Sequence, residues 1–144
     1  MAVTAFWYGL GLSACLNKLV DFDTDTIKVS LHTSTYVPAQ DTHDYWDDAT
    51  NEVTGTGYTA GGATLAGASI TYTAATNILK LDGTDVTWTS ATITARYAVI
   101  YGSTGTAATS PLIGYVDFGA DVTSTAGDFK ITWHADGILK ITAS

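Results

Sequence analysis

Basic residues, cysteine and long apolar runs are all scarce in this sequence, and each shortage excludes a class of protein. The 144 residues include six Lys and Arg against fourteen Asp and Glu, which gives a formal net charge of −8. The basic residues are scattered, so no patch could neutralise the phosphates of a nucleic acid. No apolar run approaches the roughly 20 residues that span a bilayer. We therefore expect neither nucleic acid nor membrane as a partner.

The shortage of cysteine bears on stability. Cys15 is the only cysteine, so no disulfide can form within one chain. Stability must then come from packing or from assembly with other chains. A lone cysteine is also compatible with synthesis in a reducing cytoplasm.

The composition favours a single domain made mostly of β-structure. A chain of 15.1 kDa that is 46% hydrophobic has about the usual size of one domain. Threonine and tyrosine, which suit pleated surfaces, are abundant, whereas Glu, Lys and Gln, which commonly fill helices, are scarce.

Alternating apolar and polar residues predict strands, because successive side chains of a strand point to opposite faces. The alternation is clearest in a predicted hairpin between Thr92 and Gly119, and it recurs at about Ile27–Ser34 and Phe129–His134. In the hairpin we expect one buried face and one polar face. The buried face would hold Ile93, Ala95, Tyr97, Val99 and Tyr101, and the polar face Thr92, Thr94 and Arg96.

The spacing of the predicted strands indicates the architecture. They are short, and no helical crossover of ten or more residues separates them. We predict a mostly β fold, an antiparallel β-sandwich or barrel of about eight strands with a short N-terminal helix or arm. Residues 1–20 would form this aromatic arm or short helix, and residues 21–144 a single β domain. The irregular segment Tyr36–Gly62, with a one-turn helix expected at Thr42–Asp47, has a length typical of functional or assembly loops.

Motifs for chemistry are missing from the sequence. No serine lies in a nucleophile-elbow context, and no dyad of nucleophile and base is evident. The histidines His32, His43 and His134 are far apart in sequence, so the spacing does not indicate a zinc site. The oxygen-rich segment Gln40–Asp48 does not follow a known calcium loop, and Asp41 is better explained as a helix cap. We predict no enzyme activity, no metal and no cofactor.

Two aromatic groups are not explained by any strand face, and they are the candidate interface. These residues are Phe6, Trp7, Tyr8, Tyr45 and Trp46. Aromatic side chains are enriched at the buried centres of protein interfaces. Alternatively, these aromatics plug the ends of the core, or they form a platform on which a sugar stacks.

Several phrases together resemble a family of small virion structural proteins of tailed bacteriophages. The resemblance covers nearly the whole chain from about Asp21 and leaves out the aromatic arm. The phrases are DFDTDTIKVSLHTSTYVPAQDTHDYWDD, NEVTGTGYTAGGATL, DVTWTSATITARYAVIY, TSPLIGYVDFG and GDFKITWHADGILKI.

This resemblance implies a capsid decoration, or cement, protein that binds and stabilises the assembled head shell. The implied partner is the major capsid protein. The implied location is the outer capsid surface of the virion, assembled in the cytoplasm of the bacterial host. A homo-oligomer, with a trimer as the first expectation, is also implied. The alternatives are a tail, connector or fibre component and, from another class, a carbohydrate-binding module.

Overall fold

The computed structural model describes residues 2–144 and contains two open β-sheets in a sandwich-like arrangement. This confirms the predicted mostly β class, while the strands of the described chain do not close into a barrel. The strands are β1 (Ala2–Val3), β2 (Phe6–Trp7), β3 (Ile27–His32), β4 (Ala63–Thr64), β5 (Ser69–Thr73), β6 (Ile78–Asp82), β7 (Val86–Gly102), β8 (Leu112–Trp133) and β9 (Leu139–Thr142).

The hairpin of β7 and β8 forms the centre of the larger sheet. The two strands pair from Val86 with Ile131 at one end to Tyr101 with Leu112 at the other. The larger sheet has the order β1-β8-β7-β3-β4, and β2 also pairs with β8. The predicted hairpin is therefore confirmed but too short, since residues 119–128 continue β8. This segment is mostly exposed and polar, so it has no apolar alternation that could have revealed a strand.

A register shift within the hairpin changes which side chains face the core. Between Ala95 and Tyr97 the pairing slips, and Phe118 to Asp121 form a bulge on β8. The same irregularity reverses the alternation of side chains on β7, since Ala95 shares a face with Ala98 and not with Tyr97. The prediction of a single buried face is therefore wrong. Ile93 and Ala95 share the main core with Ala98 and Ile100, whereas Tyr97, Val99 and Tyr101 belong to a second cluster on the opposite face.

The neighbouring strand β3 is likewise buried on both faces. Ile27, Val29 and Leu31 lie in the main core, as the alternation predicts. Ser30 and His32, on the side predicted to be polar, have no exposed surface either. The segment between β3 and β4 folds over this side and supplies Tyr36, Trp46 and Ala49 to the second cluster.

The expected one-turn helix at Thr42–Asp47 is wrong in position. A 3-10 turn spans Trp46–Asp48 and begins after Tyr45, so Asp41 does not cap it. Instead, the backbone N–H of Asp44 donates to the Asp48 carboxylate at 3.0 Å. A second 3-10 turn, Ala107–Thr109, lies at the tip of the hairpin.

The N-terminal segment belongs to the larger sheet and also contains the predicted helix. β1 pairs in parallel with residues 132–133 of β8, and β2 pairs antiparallel with residues 114–115. The helix α1 spans Gly9–Leu16 and packs on β8 through Gly11 and Ala14. No helix of the described chain has the length and hydrophobicity required to cross a bilayer.

The smaller sheet has the order β5-β6-β9 and packs against the larger one. Leu81 of β6 and Leu139 of β9 lie in the same core cluster as Ile100 and Ile131 of the large hairpin. The two sheets therefore share one core. The apolar face of the small sheet continues outward from this core to Leu79 and Ile141, which are only half-buried.

We expect Gly11→Ala to destabilise the protein although alanine favours helices. A Cβ at residue 11 would overlap the backbone carbonyl oxygens of Leu112 and Ile113. Overpacking of this kind costs about 1–3 kcal/mol. Urea unfolding should give a lower midpoint for Gly11→Ala. The control is Gly9→Ala in the same helix, where a Cβ meets only Gln40 O at 3.6 Å. Equal stability of the two variants would contradict the close packing of α1 on β8.

Candidate functional site

The five aromatic residues predicted as an interface lie in different environments. Phe6 is the most accessible, with 55% of its surface exposed, and its ring centroid lies 5.6 Å from that of Tyr115. Trp7 packs against the main core, and its indole N–H donates to the carbonyl of Lys140 at 3.2 Å. Phe6 is therefore available to a partner in the folded chain, whereas Trp7 mainly closes the core.

The other three aromatics take part in packing between the large sheet and the segment that covers it. Tyr8 has no exposed surface, which removes it from the predicted interface of the single chain. Tyr45 forms a bridge with Pro111 and is partly exposed. Trp46 stacks on Tyr101 with centroids 4.9 Å apart and ring planes at 15°. One face of the Trp46 ring is thus covered, which leaves less of it for a sugar.

A chain of hydrogen bonds joins Trp46 to the two buried polar residues of β3. The Trp46 indole N–H donates to Ser30 Oγ at 3.0 Å, and Ser30 Oγ lies 2.9 Å from His32 Nε2. On the other side of the ring, His32 Nδ1 lies 2.8 Å from the carbonyl of Thr50. A carbonyl only accepts, so Nδ1 carries the proton and Nε2 accepts from the Ser30 hydroxyl. The geometry therefore fixes one neutral tautomer of His32.

The environment of His32 opposes its protonation. Burial lowers the pKa of His32 to about 4, from 6.5 for an ordinary histidine, although the Thr50 carbonyl acts in the opposite direction. A proton on Nε2 would also remove the acceptor of the Ser30 hydroxyl hydrogen. His32 is consequently a neutral structural group at neutral pH.

Ser30 and His32 have the contact that nucleophilic catalysis requires, but they lack access. A serine hydroxyl within hydrogen-bond reach of an imidazole is the arrangement of an activated nucleophile. Here neither side chain has any exposed surface. A substrate could not reach the hydroxyl without displacement of Trp46 and the segment that carries it. We interpret the pair as a lock between β3 and its covering segment.

A second polar chain lies beside the first. Ala39 N–H donates to His43 Nδ1 at 3.3 Å, so Tyr36 OH donates to the same atom at 3.0 Å. Tyr36 OH in turn accepts from Tyr8 OH at 2.7 Å. Burial raises the pKa of Tyr36 to about 12, and it raises that of Tyr8 further. The Tyr36 ring also lies 5.1 Å from the His32 ring, which connects the two chains.

Two of the three histidines are thus brought near each other, and neither position suggests a metal site. His32 and His43 flank Tyr36, whereas His134 lies elsewhere, 3.4 Å from Asp136. Among residues 2–144, no group of three or more His, Cys, Asp or Glu side chains is placed to hold a metal ion.

The alternation along β3 predicts a polar face for Ser30 and His32, and it does not reveal their contact. The available signal was the i, i+2 spacing of the two residues on one strand, which places both side chains on the same face.

The single glutamate of the chain holds the rest of the covering segment. Glu52 accepts hydrogen bonds from Tyr58 OH at 2.7 Å and from Gly61 N–H at 2.6 Å. Tyr58 OH also accepts from the backbone N–H of Leu31 at 2.9 Å. These bonds attach residues 52–61 to β3. The long irregular segment is therefore a fixed cover of the sheet.

The accessible apolar surface lies away from the hydrogen bonds that attach the covering segment to β3. An open groove of about 600 Å³ runs between α1 and the small sheet. Leu12 and Leu16 line one side, and Ile70 and Leu79 the other. Beyond the groove, exposed apolar side chains include Phe6, Leu10, Leu19, Val37 and Tyr72.

Comparison of the chain with protein-family models, with curated proteins and with solved structures gave no match. The candidate function therefore depends on the residues themselves and on the resemblance described above.

We expect the stability contributed by neutral His32 to fall as the pH falls from 6.5 to about 4. In this window the unfolded chain binds a proton at His32 and the folded chain does not, so acid favours unfolding. The loss should reach about 3 kcal/mol. Urea unfolding across this range should show a shallower decline for His32→Gln than for the natural chain. Identical slopes for the two proteins would refute the assignment.

Ser30→Ala should destabilise the protein, because it leaves both His32 Nε2 and the Trp46 indole N–H without their shared partner. Buried polar groups without a partner cost about 1–3 kcal/mol each. Thermal unfolding should show a lower midpoint, whereas Ser13→Ala on the exposed side of α1 should change it little. Covalent labelling of Ser30 in the folded chain by a fluorophosphonate would contradict the lock and favour a nucleophile.

Proposed function

We propose that this protein is a structural component of a bacteriophage virion, with capsid decoration as its specific role. In this role it binds the major capsid protein on the outer surface of the assembled head. The resemblance of the sequence from about Asp21 onward supports the proposal. The arrangement of its reactive groups also supports the proposal, since Ser30, His32 and Tyr36 all make internal hydrogen bonds. A decoration protein requires complementary surface and no bond-making chemistry.

The observation that carries the proposal is the apolar surface displayed by the N-terminal segment and its neighbour. The backbone N–H of Gly9 donates to the carbonyl of Gln40 at 3.0 Å, and Gln40 Nε2 donates to the Trp7 carbonyl at 2.7 Å. These bonds hold residues 7–9 beside Gln40, and exposed apolar residues flank both partners. Phe6, Leu10 and Val37 are 55%, 42% and 69% exposed. We call these three residues the N-terminal apolar surface.

This surface is suited to a partner. Exposed apolar side chains grouped in one region commonly mark contact sites, whereas scattered ones need no explanation. A ligand that binds an assembled lattice and not its free subunits shifts the equilibrium towards assembly. Burial of the N-terminal apolar surface on the shell would supply part of that binding energy. The fixed covering segment would keep the surface in one shape.

We expect Phe6→Ser to weaken binding to the head shell by about tenfold, a typical loss for a buried aromatic contact. The measurement uses heads from a phage that lacks this gene. Purified chain is added back, and its saturation and the heat resistance of the heads are recorded. Val122→Ser removes a 39% exposed side chain from β8 and serves as the matched control. Both variants should remain folded, although Phe6→Ser loses the contact with Tyr115.

The location of the chain in an intact particle tests the role itself. Cryo-EM density for many copies on the outer head lattice is the expected result. Immunogold label confined to the tail would refute decoration and favour a tail, connector or fibre component. Binding of a defined glycan by the isolated chain would instead favour a carbohydrate-binding module.

A further inference from the structure

The outer edge of β5 is an open strand edge. β5 pairs only with β6, at the side opposite to this edge. All five of its residues are exposed, and within residues 2–144 no segment donates to or accepts from its outer backbone groups. Natural proteins usually guard such edges with charges, proline, bulges or very short strands, because an open edge pairs readily with another chain.

Several other open edges of the described chain carry such guards. The outer edge of β8 between its contacts with β2 and β1 contains Asp117, Asp121 and Asp128 and has several register shifts. β4 has only two residues. β9 carries Lys140, whose carbonyl already accepts the indole N–H of Trp7. By contrast, β5 reads Ser-Ile-Thr-Tyr-Thr, with no charge, no proline and no bulge in its pairing with β6.

The sequence of β5 is also complementary to itself. In an antiparallel pair centred on Thr71, each Ile70 lies opposite Tyr72 of the other copy, and each Ser69 lies opposite Thr73. Pairs of an aromatic with a β-branched residue, and pairs of hydroxyl residues, are among those that stabilise neighbouring strands. No like charges meet, because Lys80, next to Thr71 on β6, already pairs with Asp82 at 3.2 Å.

The face that adjoins this edge is apolar and accessible. Ile70 and Tyr72 lie on the same face of β5 and are 40% and 52% exposed. Ile70 also lines the groove opposite Leu12 and Leu16 of α1. Pairing along β5 would place the Tyr72 ring of each copy against Ile70 of the other, so apolar burial would accompany the new backbone hydrogen bonds.

We propose that two copies of this chain associate by antiparallel pairing of their β5 strands around a two-fold axis at Thr71. The two small sheets then become one continuous sheet, and the contact is the same on both copies, as a closed dimer requires. This dimer differs from the trimer that the resemblance implies. The inference does not rest on the proposed virion role, since it concerns the isolated chain.

The experiment measures the mass of the purified chain by light scattering at micromolar concentration. The natural chain should have twice the 15.1 kDa mass of one copy. Thr71→Lys and Thr71→Glu should each be monomeric, because residue 71 of one copy lies opposite residue 71 of the other and the two would carry the same charge. A mixture of the two variants should regain a one-to-one dimer, since Lys then meets Glu. This recovery also shows that both variants are folded.

Thr89→Lys places the same charge at an exposed position of β7 and should remain dimeric. A monomeric natural chain, a trimer, a dimer that persists in Thr71→Lys, or a mixture that stays monomeric would each overturn the proposal. A second check uses Thr71→Cys in a Cys15→Ser background, which should cross-link to itself under mild oxidation. The Thr89→Cys counterpart should not cross-link.

Discussion

The register shift between Ala95 and Tyr97 is the constraint on which the layering of the molecule depends. Before the shift, apolar side chains of β7 point to one face only. After it, Ala98 and Ile100 face the main core while Val99 and Tyr101 face the other side. A strand with apolar groups on both faces cannot remain half-exposed. The chain therefore needs a second layer over this part of the sheet, and the segment that follows β3 provides it.

That second layer contains little regular structure, so its backbone and side chains need other partners. Ser30, His32, Tyr36 and Glu52 provide them, since each makes two or more hydrogen bonds to the cover or to the sheet beneath. Every buried side-chain donor or acceptor among the described residues has a partner. Complete networks of this kind specify one arrangement, because any displacement leaves a costly unpaired group. Without disulfides, these bonds fix the position of a long segment that apolar packing alone would define poorly.

The sequence predicted those parts of the fold that follow from simple alternation. The strand that begins at Ile27 lies close to its predicted position, and the N-terminal segment contains the expected short helix. The bulge was not predictable, because alternation continues through Tyr97 in the sequence while the backbone slips. Residues 119–128 were missed for the opposite reason, since an exposed strand has no apolar period. The burial of Tyr8 and the contact of Ser30 with His32 both depend on the cover, whose path no local pattern encodes.

The distribution of charged residues explains which parts of the surface remain accessible to other chains. Four of the six basic residues are paired with aspartates across or along the sheets, at Lys80, Arg96, Lys130 and Lys140. Aspartates also occupy the open edge of β8, where they oppose further pairing. Such charges are missing from β5 and from the N-terminal apolar surface. A chain this acidic could have placed a carboxylate at either position with little effect on its core. The apolar character of both surfaces is thus a property of the exterior that folding does not require, and both proposed contacts use it.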